Sequence, residues 1–97
     1  MNPISYYIGE DEWQSLKKEG DLYEWCDKRN YVMRSIKGFC ADFPSANITQ
    51  HPVGYVILTK NVIIVAPSIF KREGWYAVED KETLDDHWEF ERKIWEC

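Results

Sequence analysis

An α+β fold is predicted: a small antiparallel sheet of three or four strands packed by two or three helices. Three observations carry it. Two β-branched runs, Gly54 to Thr59 and Val62 to Ala66, meet at Lys60-Asn61, the pattern of a tight hairpin. Apolar residues recur near helical spacing from Leu22 to Cys40. The chain has 97 residues, room for a single domain over residues 1–97 and little for a second core.

The elements follow in order. Ile4 to Ile8 is β-favouring and closes at Gly9, so it reads as a first or edge strand. Glu10 to Glu19 reads as a short helix, with acids in its first turn and Lys17-Lys18 in its last, as the helix dipole favours. Asp21 with Glu24 resembles a capping box, with Asp in place of Ser or Thr. Behind it Leu22, Trp25, Cys26, Val32, Met33, Ile36, Phe39 and Cys40 form a stripe that predicts one helix from Asp21 to about Gly38, interrupted at Arg29.

Phe43-Pro44 through His51-Pro52 is expected to be a loop. The apolar residues of the hairpin are nearly continuous, which predicts central strands covered on both faces. Pro67 ends the second run, and Trp75 to Val78 forms a further strand after a turn at Gly74. At the C-terminus a helix is favoured over a strand. Thr83 with Asp86 would cap it, and Leu84, His87, Trp88, Glu91, Ile94 and Trp95 would share one side of it.

Composition excludes several classes. The chain is 44 % hydrophobic and 15 % aromatic, too rich in core formers for a disordered acidic tail. Its formal charge of −5 opposes a generic cationic nucleic-acid binder. That charge is unevenly placed. Met1 to Asp27 carries net −5, Lys28 to Val78 net +5 and Glu79 to Cys97 net −5. The N-terminus shows no basic segment followed by an apolar one, so no secretory signal is indicated, and the most apolar stretch is too interrupted to span a bilayer. Three cysteines without CxxC spacing fit free thiols in a reducing cytoplasm.

Catalytic chemistry finds little support. His51 and His87 are the only histidines, and a two-histidine ribonuclease or small hydrolase would need them to converge on one phosphate beside Arg34 or Lys37. No spacing links them, and exposed or structurally bonded histidines are the simpler account. Cys26 and Cys40 fall on the apolar stripe, where thiols act as small hydrophobes rather than nucleophiles. Neither zinc-ligand spacing nor an EF-hand glycine is present, and no glycine-rich phosphate cradle occurs. The chain is therefore expected to be no enzyme and to hold no metal or cofactor.

What remains is a binding surface. Carboxylates steer a cationic partner, and large aromatics anchor the centre of an interface. Asp85-Asp86-His87-Trp88-Glu89-Phe90-Glu91-Arg92 interleaves both, as does Glu10-Asp11-Glu12-Trp13. The candidate contact residues are Asp80, Glu82, Asp85, Asp86, Glu89 and Glu91 for charge, with Trp88 or Phe90 as anchor.

In size, cysteine pattern and these acid–aromatic segments, the chain resembles the small, acidic, cytoplasmic immunity proteins of bacterial contact-dependent growth inhibition and other polymorphic toxin systems. The resemblance implies an antidote that binds one cognate toxin domain, often a nuclease, and blocks its active site or substrate surface. A nuclease must be cationic to hold phosphates, so the expected partner is a basic protein, with no nucleic acid or membrane bound directly. The alternative is a phage- or plasmid-borne inhibitor that mimics nucleic acid against a host defence nuclease. The basic middle of the chain departs from a uniformly acidic decoy.

Overall fold

The computed structural model describes residues 4–19, 21–46, 53–67 and 74–96. Its elements are β1 (Ile4–Tyr7), α1 (Glu10–Glu19), α2 (Leu22–Lys28), β2 (Val32–Ser35), α3 (Ile36–Asp42), β3 (Tyr55–Leu58), β4 (Ile63–Ala66), β5 (Tyr76–Glu79) and α4 (Lys81–Glu96). The class is α+β, as predicted, but the antiparallel sheet has five strands rather than three or four, and four helices pack on it. The strand order is β1-β5-β4-β3-β2. The chain therefore lays down β2 to β5 as a meander, and β1 joins beside β5.

Register divides the side chains between two cores. Tyr6, Ala77, Ile64, Ile57 and Met33 are opposite one another across all five strands. Ile57, Ile64 and Ala77 are buried there with Leu16 of α1 and Trp25 and Cys26 of α2. The neighbouring row, Tyr7, Tyr76, Val65, Val56 and Arg34, points to the opposite face. Val56 and Val65 are buried there with Ile36 and Phe39 of α3 and Leu84 of α4. Helices thus cover both faces, and this accounts for the unbroken apolar runs of β3 and β4.

The predicted helix from Asp21 to Gly38 is wrong. Asp21 does cap a helix, accepting from the Tyr23 and Glu24 amides, but α2 ends after Lys28. Asn30 then adopts a left-handed conformation, φ 58°, tolerated better by Asn than by most residues. This reverses the chain, and Val32 to Ser35 pair with β3 instead of continuing the helix. Ser35 caps α3 by accepting from the Gly38 amide at 3.0 Å.

The hairpin forms where expected. Leu58 pairs with Ile63, and the Thr59 hydroxyl closes the turn by accepting from the Asn61 and Val62 amides while donating to the Val62 carbonyl. The C-terminal segment is a helix, but its cap is Asp80 rather than Thr83 with Asp86. Asp80 accepts from the Thr83 amide at 3.2 Å and from the Thr83 hydroxyl at 2.9 Å. The predicted loop lies within the described residues only as far as Ala46. Among the described residues, no helix is long and apolar enough to cross a membrane.

Candidate functional site

α4 starts directly after β5 and is held across the sheet by its inner side chains. Leu84 sits in the core beside Val78 of β5, and the Trp88 indole N–H donates to the Thr59 carbonyl at 3.3 Å, at the turn after β3. Glu91 reaches Arg34 on the edge strand β2 and forms an ion pair with it. The helix therefore crosses from β5 to the far edge of the sheet. Its 16 residues give a length of about 24 Å, whereas β5 and β2 are about 14 Å apart at ordinary strand spacing. In the last turn, past Glu91, Ile94 is 53 % and Trp95 83 % exposed.

The candidate contact residues fall into three groups. Glu82, Asp85, Asp86 and Glu89 are exposed, and their spacing of three and four residues places them on one outer face of α4. None of these four takes part in an ion pair among the described residues. Phe90 borders this stripe, 40 % exposed, with its ring edge-on to Phe43 at 5.9 Å. Asp80, Trp88 and Glu91 face the fold instead. Asp80 is the cap, Trp88 is half-buried against the core that holds Val56, Val65, Phe39 and Leu84, and the Glu91 side chain is only 13 % exposed. Replacing Asp80 with Ala is expected to lower the unfolding free energy by about 1 kcal/mol in urea titration, through loss of the cap.

Spacing places Ile94 and Trp95 on the same side of the helix as Leu84 and Trp88. Periodicity shows which side of a helix a residue occupies but not whether the sheet beneath extends that far. Comparing helix length with sheet width supplies the missing signal.

Of the histidines and thiols named for catalysis, His87, Cys26 and Cys40 lie among the described residues. His87 is fully buried among the rings of Phe39, Phe43 and Trp88, at centroid distances of 5.9, 5.6 and 5.3 Å. Neither ring nitrogen has a hydrogen-bond partner among the described residues. Burial, reinforced by the positive charge of Arg34, pushes its pKa down to about 4, with Asp42 acting weakly in the other direction. Its proposed partner, His51, lies outside the described residues. Cys26 is buried beneath α2, and burial raises its thiol to about 11, while burial also raises Cys40. These thiols are protonated near neutral pH and are poor nucleophiles. Cys97 lies outside the described residues. Among the described residues, no three His, Cys, Asp or Glu side chains gather closely enough to hold a metal ion.

On the opposite face of the sheet, a cleft of about 420 Å³ opens beside α1 and α2. Asp11, Glu12, Ser15, Trp25, Arg29 and Tyr31 line its helical side, and Tyr6, Val62 and Ile64 line its sheet side. It draws on the second acid–aromatic segment of the sequence, although Trp13 itself turns inward and meets Trp75 edge-on at 5.6 Å. Comparison with family models, with curated proteins and with solved structures finds no match to this chain.

Proposed function

We propose that the chain is an immunity protein: it binds a cognate basic toxin domain, a nuclease, in the cytoplasm and blocks its active site or substrate surface without catalysis. The observation that carries this reading is the outer face of α4. Four exposed carboxylates lie there on one helical stripe, with no ion pair among the described residues, beside the half-exposed ring of Phe90. Charges left unpaired within a fold remain available to steer and contact a cationic partner. An exposed aromatic at the border of the stripe supplies an anchor that a flexible charged face lacks.

The contact set is Glu82, Asp85, Asp86, Glu89 and Phe90, with Asp80, Trp88 and Glu91 building the platform. The test uses the toxin domain that this reading places in the adjoining gene. The intact protein should protect cells that express that domain. Asp85→Lys with Asp86→Lys should weaken binding about tenfold, consistent with reversing two exposed charge contacts of up to about 1 kcal/mol each, and should flatten the salt dependence. Unchanged affinity and salt slope would remove α4 from the interface. Failure to protect, with no complex formed, would remove the immunity reading itself.

A further inference from the structure

The cleft beside α1 and α2 has a composition of its own. Its volume of about 420 Å³ falls within the range of ligand clefts, about 300–1,000 Å³. Asp11 and Glu12, both exposed, form part of its wall and join no ion pair among the described residues. Tyr6, Trp25 and Tyr31 contribute aromatic surface, and Val62 and Ile64 contribute apolar surface. The one cation in the wall among the described residues, Arg29, is committed to the protein. Its guanidinium lies 4.5 Å from the centre of the Trp25 ring, donates to the Trp25 carbonyl at 3.1 Å and donates to the Ser15 hydroxyl at 3.0 Å. Ser15 also accepts from the Trp25 indole N–H at 3.4 Å, which fixes the ring beneath the guanidinium.

We propose that this cleft receives an arginine side chain presented by a basic protein segment, with Asp11 and Glu12 meeting the guanidinium and the aromatic walls stacking on it. Charge complementarity selects a cation, because among the described residues two carboxylates without an ion pair line the space and the one cation there is already engaged. The aromatic walls favour arginine over lysine, since a planar, weakly hydrated guanidinium stacks on rings and bonds carboxylates in pairs. Arg29 on Trp25 is the same interaction made internally, at the edge of the same cleft. The site lies on the opposite face of the sheet from α4 and does not depend on how α4 is used.

The probe is a short peptide with one arginine between glycines, compared with the same peptide carrying citrulline, which keeps the shape and removes the charge. Binding is read from the indole N–H resonance of Trp25. Saturable binding is expected, at least tenfold weaker for the citrulline peptide and at least tenfold weaker when Asp11→Asn and Glu12→Gln are combined. Asp85→Asn with Asp86→Asn on α4 should leave it unchanged. Thermal melting confirms that each variant is folded. The proposal is overturned by an absence of saturable binding, by equal binding of the citrulline peptide, or by equal loss in the α4 variant, which would mean attraction to net charge alone.

Discussion

Gly54→Ala is expected to lower the unfolding free energy by about 3 kcal/mol, combining a strained backbone with overpacking. Gly54 precedes β3 with φ +134°, a conformation that side-chain-bearing residues rarely adopt. A Cβ there would meet the Ala66 carbonyl oxygen at 2.6 Å and the Pro67 Cα at 2.7 Å. Both are backbone atoms at the end of β4, so neither can swing away as a side-chain tip would. Shifting Gly54 instead would disturb its carbonyl, which accepts from the Ile36 amide at 3.0 Å where β2 passes into α3. For a domain of this size the loss corresponds to a melting temperature lower by roughly 15 °C, measurable by circular dichroism. Gly74→Ala is the control. Its φ is +88°, but the nearest atom to an added Cβ is the Pro67 Cγ at 3.8 Å, leaving only the backbone term of roughly 1–2 kcal/mol. Equal melting of the two alanine variants would show that the close approach at Gly54 contributes nothing.

Much of this architecture is legible in the residues. The acids and lysines of α1, the β-branched hairpin and the continuous apolar runs each correspond to what forms. The long-helix reading fails for an identifiable reason. Trp25 and Ile36 are eleven positions apart, about three helical turns, so two short helices fall in phase and imitate one. In the fold they pack on opposite faces of the sheet, Trp25 in one core and Ile36 in the other. The edge strand β2 carries the chain across between them, and the Tyr31-Val32-Met33 run after Arg29-Asn30 is the local sign of it. Legibility of the candidate site has the same limit. Spacing places Glu82, Asp85, Asp86 and Glu89 on one face and Glu91 on the side of Leu84 and Trp88, but the partner that engages Glu91 is Arg34 of β2, a strand hidden by the false helix. The cleft is less legible still, since its walls come from β1, α1, α2, the hairpin turn and β4.

The buried imidazole makes stability depend on pH in a direction set by its neutral state. His87 titrates near 4 in the fold against an ordinary 6.5. Above pH 6.5 the ring is neutral in both folded and unfolded chains, and its contribution is complete. Between pH 6.5 and 4 the unfolded chain takes up a proton that the folded chain refuses, so stability falls as the solution is acidified. Below pH 4 both states are protonated and this loss stops growing. Its full extent is about 3 kcal/mol. The groups facing the ring explain why protonation is resisted. Arg34 of β2 already engages the Glu91 carboxylate, whose nearer oxygen lies 3.8 Å from the His87 Nε2, and the more weakly acting Asp42 of α3 supplies the remaining negative charge. Urea unfolding at pH 7 and pH 4.5 measures the loss, and His87→Phe isolates it from the surface carboxylates. Phenylalanine suits a site walled by Phe39, Phe43 and Trp88 and removes two nitrogens that have no hydrogen-bond partner among the described residues. At pH 7 the variant should therefore be close to the parent in stability. At pH 4.5 it should be the more stable of the two by 2 kcal/mol or more, on the order of the linkage lost. Parallel pH profiles for the two proteins would mean that His87 accepts its proton in the fold as readily as in the unfolded chain.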